Sequence, residues 1–428
     1  MKFHSGIASL VLIGAVLTLS GCGVAPSATE TTVRAAAPEQ VPIYEWDPSW
    51  PKQPYPNRYW VTGAVGAVTV DSQDHIWMVH RLTDPAKLGA QYPIEESECC
   101  VQAPAVLEFD VAGNVVQGWG GPGPEHKWPP FGGGPPRSNQ PQSSQRPRFE
   151  GPPREYHWPS SAHGLFVDEQ KGHVWVGGGS TLLKFTRDGK WLGLEIGYDP
   201  TGTAKINDSK NTKVLRTPTG IFVDSKANEV FIADGYGNRR VIVYDSNTGA
   251  FKRQWGAYGK PPDDLVPLRT LPFQWKPTDP PHPAFTVVHC LREDKDGLLY
   301  VCDRGNQRIQ IFKRDGTFIK EAFIRPTTNV GSTYDIAFSR DPEQQFMFVV
   351  DGRNEKVWIL RRADLQVIGE FGHTGRNGGG LILAHAIGID SKNNLYIGES
   401  EGMRVQRFLY KGLGPQTRQY DKYGIALN

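Results

Sequence analysis

The sequence predicts an all-β chain, a six-bladed β-propeller closed by an N-terminal strand, and three observations lead there. One frame recurs in six copies: AVTVDSQDHIWMVHR from Ala67, GLFVDEQKGHVWVGG from Gly164, GIFVDSKANEVFIADGYGNRRVIVY from Gly220, VHCLREDKDGLLYVCDRGNQRIQIF from Val288, DIAFSRDPEQQFMFVVDGRNEKVWIL from Asp335 and AIGIDSKNNLYIGESEGMRVQRF from Ala386. Each copy sets short runs of alternating apolar and polar residues around a turn such as Asp296-Gly297, the pattern of half-buried antiparallel strands, and none carries a helical period. Copies of roughly 50 residues built this way make a radial array of small sheets rather than a sandwich.

The copies resemble NHL repeats. A ring of sheets must be closed by pairing its last blade with a strand from the other end, or two edges stay unpaired. The stretch VPIYEWDPSW over residues 41–50 resembles the outer strands at 116–120, 252–256 and 369–372, so residues 41–46 are expected as the outermost strand of blade six. The propeller then spans 41–428. Two insertions interrupt it, one over 83–104 inside the first blade and one over 120–159. The second is dense in Pro, Gly, Ser and Arg, too polar for a core, and reads as a long surface loop that can rim the channel. A further excursion covers 257–283.

Net charge is +2, with no basic stripe, so no acidic or nucleic-acid partner is implied. Lys2 precedes an apolar run over 7–19 and then Leu19-Ser20-Gly21-Cys22. That order resembles a bacterial lipoprotein signal over residues 1–22 with Cys22 as the acylated new N-terminus, followed by a small-residue linker over 23–40. The expected location is an exported, membrane-anchored lipoprotein at the periplasmic face of the outer membrane or the cell surface. Gly23 is not the aspartate that retains such proteins at an inner membrane. Of five cysteines, four remain after Cys22. Cys290 and Cys302 sit on neighbouring strands of one hairpin and can pair; Cys99 and Cys100 are adjacent and can pair with each other; the spacing does not choose among the three pairings.

Residues at which one copy departs from the rest carry the functional information. The position just before the first apolar run is Gly66, His163, Thr219, His289, Tyr334 and His385 in blades one to six. Histidine falls in alternate blades, so three imidazoles should approach the axis about 120° apart at one height, a zinc site with an open fourth position. The other histidines lack this register: His157, His173, His282 and His373 read as loop or turn residues, and His75 as a hairpin-turn residue. After the second strand, Asp234, Asp303, Asp351 and Glu399 share a position, as do Arg240, Arg308, Lys356 and Arg404. Being repeated, these read as fasteners of turns and blades. Arg81 and Arg304 instead stand where other blades have Gly179, Gly235, Gly352 and Ser400, and should reach the channel mouth. A guanidinium there offers a planar fork for a carboxylate. Tyr236 adds a phenol in the same turn of blade three.

This constellation resembles the peptidyl-α-hydroxyglycine α-amidating lyase family, whose catalytic unit is a six-bladed propeller of the same repeat. The resemblance covers residues 61–408. It implies zinc held by His163 in SAHGLFVD, His289 in VVHCLRED and His385 in LAHAIGID, and catalysis by Tyr236 in ADGYGNRR, Arg304 in CDRGNQR and Arg81 in VHRLTD. In that family an aspartate after the third histidine helps to hold a structural calcium; Ala386 stands there here, so calcium loses its carboxylate. The implied reaction cleaves the C–N bond of an N-acyl or peptidyl α-hydroxyglycine, a small-molecule or peptide substrate with a carboxylate, to an amide and glyoxylate. A zinc-dependent hydrolase on the same triad is a variant of that reading. The other class of function is a non-catalytic binding or scaffold propeller at the cell envelope, because the fold alone assigns no activity.

Overall fold

Five frames fold as four-stranded antiparallel meanders and the sixth as three strands completed from the N-terminus, and their alternating pattern buries apolar side chains against both neighbouring blades. The computed structural model describes residues 39–58, 60–81, 101–121, 156–201, 208–268, 275–328 and 331–427. The expected signal with Cys22, most of the linker, and the insertion segments 82–100 (with Cys99 and Cys100) and 122–155 lie outside the described residues.

In chain order, β1 (Gln40–Trp46) and β2 (Trp60–Val61) precede blade one, which is β3 (Val65–Val70), β4 (Ile76–His80), β6 (Val106–Phe109) and β7 (Val115–Trp119). The two-residue β5 (Val101–Gln102) pairs with β2 in parallel, a contact the repeat does not contain. Blade two is β8 (Ala162–Asp168), β9 (His173–Gly178), β10 (Thr181–Thr186) and β11 (Trp191–Ile196). His173, expected in a turn, is the first residue of β9. Blade three is β12 (Pro218–Asp224), β13 (Glu229–Asp234), β14 (Arg240–Asp245) and β15 (Phe251–Trp255), and blade four is β16 (Val288–Glu293), β17 (Leu299–Asp303), β18 (Arg308–Phe312) and β19 (Phe318–Phe323). Blade five is β20 (Asp335–Phe338), β21 (Phe346–Asp351), β22 (Lys356–Arg361) and β23 (Gln366–Phe371). Blade six is β24 (Ala384–Ile389), β25 (Leu395–Glu399) and β26 (Arg404–Pro415), completed by β1.

The closing strand is where the sequence puts it. β1 pairs antiparallel with β26, Trp46 opposite Phe408 and Tyr44 opposite Tyr410. It starts one residue earlier than the pattern suggests, and Glu39 ahead of it forms an ion pair with Arg361 of blade five. Tyr44 packs its ring 5.5 Å from Phe348 and 5.0 Å from Phe371, so β1 also seals the interface between blades five and six. First strands touch in a closed order, β3, β8, β12, β16, β20, β24 and back to β3, and they line the axial channel.

Two kinds of turn hold the meanders. At the end of the first strand an aspartate side chain accepts backbone N–H groups inside the hairpin, as Asp294 does from Asp296 and Leu298, and Asp390 from Lys392 and Asn394. At the opposite end the repeated acid meets its arginine: Asp234 with Arg240 at 2.9 Å, Asp303 with Arg308 at 2.9 Å and Glu399 with Arg404 at 2.7 Å. Arg240 is fully buried and spends its remaining N–H groups on the carbonyls of Ser209, Asn211 and Val214, which pins the chain entering the blade. Blade five departs from the expected pairing. Asp351 accepts from Trp358 and Asn354, while Lys356 turns to Glu370. A disulfide joins Cys290 and Cys302, which stand directly opposite on β16 and β17 with Cα atoms 4.8 Å apart.

Asp234→Ala leaves the Arg240 guanidinium buried with no opposing charge. It should cost about 3–5 kcal/mol of unfolding free energy by urea titration, whereas Lys411→Ala, which breaks the exposed pair with Glu45, should stay within about 0.5 kcal/mol. A loss below about 1 kcal/mol for Asp234→Ala would contradict the fastening role.

Candidate metal centre

In five of the six blades the first strand carries a β-bulge or irregularity at its start, and the functional column is the column of bulged residues. Register shifts fall between Val65 and Ala67, Ala162 and Gly164, Pro218 and Gly220, Val288 and Cys290, and Ala384 and Ala386. The extra residue in each case is Gly66, His163, Thr219, His289 or His385. In blade five Tyr334 occupies this place just ahead of β20, its N–H bonded to Val350 at 2.9 Å. A bulge bends the strand and re-aims one side chain, here towards the axis. Gly66 is the exception that makes room: a Cβ there would lie 2.8 Å from Cα of His163.

The expected three histidines do converge. Ring centroids of His163, His289 and His385 form a nearly equilateral triangle with sides of 4.8, 4.7 and 4.7 Å, and one ring nitrogen of each lies within 4.8 Å of the others. His289 donates its Nδ1–H to the carbonyl of Tyr334 at 2.6 Å, and His385 donates its own to the carbonyl of Gly66 at 3.1 Å. Both contacts fix the tautomer and leave Nε2 with a lone pair. Among the described residues, neither ring nitrogen of His163 nor Nε2 of His385 has a hydrogen-bond partner, although all are buried. Burial holds all three imidazoles well below the ordinary histidine pKa, and the neighbouring histidines and the guanidinium charges of Arg81 and Arg304 push in the same direction. Neutral, buried imidazoles that each keep a ring-nitrogen lone pair near one point are the donor set that a divalent transition metal requires.

His80 supplies the contrast. It is equally buried, and burial takes its pKa down to about 4. Yet its Nδ1 accepts the N–H of Gly63 at 3.1 Å and its Nε2 lies 2.9 Å from the carbonyl of Pro104, so both nitrogens are satisfied in a purely structural role. A second acid-rich cluster, Asp71, His75 and Glu108, is likewise accounted for. Arg187 reaches Asp71 at 2.6 Å and Glu108 at 3.2 Å, while His75 bonds Glu108 at 2.7 Å.

The other expected site residues surround the triad. Tyr236, 41% exposed, places its hydroxyl 3.2 Å from Nε2 of His289. Arg304 stacks its guanidinium between the rings of Tyr236 and Tyr334, at 5.0 and 4.7 Å. Gly331 presses on the Arg304 stem so closely that a Cβ would come within 2.5 Å of Cγ. Arg81 is fixed by its backbone N–H on Ala64 at 2.8 Å, and its Nε is buried with no partner among the described residues. Neither Arg81 nor Arg304 forms an ion pair among those residues, so the site carries two unopposed positive charges and attracts an anion.

Three contributors were not foreseen as site residues. Tyr334 stands in the same sequence column as the histidines, and that column was the signal that could have found it. Asp335 and Arg292 are joined at 2.7 Å just beneath the triad, with the Asp335 carboxylate also accepting the N–H of Ile387 at 3.2 Å. Burial raises the Asp335 pKa, against the pull of Arg292. Nothing in the repeat announces this pair, because its members come from different blades. Ala386 packs into the apolar interface of blades six and one with Val65 and Val68.

Fold and site together define a β-propeller with a three-histidine candidate metal centre on its axis. The family model described as NHL repeat matches residues 285–312. The chain is 27% identical over 280 residues to mouse (Mus musculus) peptidyl-glycine alpha-amidating monooxygenase, covering 62% of this chain and 25% of that protein. It is 23% identical over 252 residues to a Caenorhabditis elegans protein named probable peptidyl-alpha-hydroxyglycine alpha-amidating lyase, covering 57% of this chain and 62% of the other. The chain thus spans less than two thirds of the length of either relative. Among solved structures, a streptogramin B lyase superposes with a TM-score of 0.46 at 12% identity, covering 87% of this chain and 98% of the other.

The unfolded chain takes up protons on histidine near pH 6.5, whereas the folded, metal-free site keeps its imidazoles neutral below that pH. Stability should therefore be fully present above about pH 6.5 and fall as pH drops, by about 1.4 kcal/mol per unit for each imidazole held neutral. Urea midpoints at pH 7, 6 and 5 read this directly, and a flat profile would contradict the burial of neutral imidazoles.

Proposed function

We propose that the protein is a zinc-dependent lyase that cleaves the C–N bond of an N-acyl or peptidyl α-hydroxyglycine, releasing an amide and glyoxylate. One observation carries the reading: three neutral, buried imidazoles converge, each with a ring-nitrogen lone pair, beside two guanidinium groups that form no ion pair among the described residues. The similarity to proteins named for α-amidation supports the choice of substrate class. His163, His289 and His385 would hold the metal, which supplies a Lewis acid with an open position.

The chain's own groups account for the rest of the chemistry. Arg304 and Arg81 bind the substrate carboxylate, and the stacking of Arg304 between Tyr236 and Tyr334 limits the plane in which its fork can turn. That fixes the carbon carrying the hydroxyl group above the triad. As the phenolate, the Tyr236 oxygen, 3.2 Å from Nε2 of His289, would take the hydroxyl proton. As the C–O bond becomes the aldehyde C=O, the C–N electron pair leaves with nitrogen, which takes up a proton to become the amide. Tyr236 is positioned to return that proton, so the step needs no outside oxidant or base. Calcium has no part in this reading, since Ala386 offers no ligand and Arg292 already opposes the charge of Asp335. Export and lipid anchoring through Cys22, as the first 22 residues suggest, would place the activity at the cell envelope.

Glyoxylate release from an α-hydroxyhippurate-type substrate tests the reading. Tyr236→Phe should keep the metal and lower kcat by at least about 100-fold with little change in KM. Arg304→Ala should also raise KM, His289→Ala should lose the metal, and a calcium-selective chelator should leave the wild-type rate unchanged. If zinc-loaded wild type releases no glyoxylate across several acyl groups, the lyase reading falls and the propeller is a binding or scaffold module of the envelope.

A further inference from the structure

The axial channel has a second chamber on the side of the Arg292–Asp335 pair away from the histidines. Its volume is about 240 Å³, and every blade contributes to its wall: Val70, Phe166, Phe222, Leu291, Phe338 and Ile389. Arg292 borders both the chamber at the triad and this one, so it forms the partition between them. The wall is mixed: the apolar ends of the first strands alternate with exposed backbone edges and with Arg292, Glu293 and Gln344, and Glu293 is paired with Arg314. Arg292 and Arg340 already use two of these edges, through the carbonyls of Ile336 at 3.4 Å and Ile389 at 3.0 Å.

Arg340 stands at the mouth of this chamber. Its guanidinium has only the Ile389 carbonyl as a hydrogen-bond partner among the described residues and forms no ion pair among them. Asp74, Asp390 and Glu169 act on its charge from a distance, and none of them touches the guanidinium. Asp74 accepts from the N–H of Ser391 at 2.8 Å, Glu169 from that of Ser72 at 2.9 Å, and Asp390 from that of Lys392 at 2.9 Å. An exposed guanidinium beside a chamber to which every blade gives an apolar side chain matches a ligand with an apolar body and one negative head group. Size narrows it further, since about 150 Å³ is room enough for benzene. A single ring or a short chain with a carboxylate fills the space here.

We propose that this second chamber is a binding site for a small apolar monocarboxylate, with Arg340 holding the carboxylate and the six first strands enclosing the body. The site is separate from the triad and does not depend on the lyase reading. Because Arg304 and Arg81 can also take a carboxylate, the two sites are told apart by variants. Phenylacetate titrated by calorimetry and ligand-observed NMR should bind wild type and Arg304→Ala alike at this site, and should bind Arg340→Gln about tenfold more weakly or worse. Arg340 lies on the surface, and an unchanged melting temperature will confirm that the variant folds. Neutral phenylacetamide on the wild-type protein provides a second arm, with binding at least about tenfold weaker than phenylacetate expected. Loss of phenylacetate binding in Arg304→Ala with none in Arg340→Gln, equal binding of acid and amide, or no binding up to about 10 mM would each overturn the proposal.

Discussion

The start of each first strand is the constraint on which the site depends. In an unbulged antiparallel strand successive side chains enter the two faces of the sheet, and both faces of a propeller blade are packed against neighbours. One extra residue in five blades, and Tyr334 just ahead of β20 in the fifth, breaks that alternation and turns one position per blade towards the axis. Six blades therefore offer six axial positions at one height, and the chemistry follows from what fills them: three imidazoles, one threonine, one tyrosine and one glycine.

That arrangement works against the stability of the metal-free fold. A buried nitrogen left without a partner costs about 1–3 kcal/mol, and His163 alone carries two. The surrounding structure does not relax to relieve this, because Tyr334 and Gly66 lock the rings of His289 and His385 through their carbonyls. His80 shows what the same fold does with a histidine that has only a structural role, namely satisfying both nitrogens from neighbouring backbone. The Cys290–Cys302 disulfide adds rigidity at the same place, since His289 and Asp303, which leads into Arg304, flank its two ends.

Much of this was legible in the sequence because a repeat supplies its own comparison. The six frames set the blade count, the likeness of residues 41–46 to other outer strands identified the closing strand, and histidines in alternate copies marked the triad. What stayed hidden depends on contacts between copies. The Asp335–Arg292 pair joins blades five and four, Lys356 chooses Glu370 over the expected acid, and the parallel β2–β5 pair lies outside the repeat. Tyr334 was visible in the histidine column, but its value lies in a backbone carbonyl and a ring face that no side-chain motif announces.

The central claim is that His163, His289 and His385 form a metal centre, and metal content tests it most directly. Elemental analysis of the folded protein after zinc loading and exhaustive dialysis should give about one zinc per chain for wild type and close to none for His163→Ala, His289→Ala or His385→Ala. Wild-type protein that retains no zinc, or single-histidine variants that retain as much as wild type, would contradict the account.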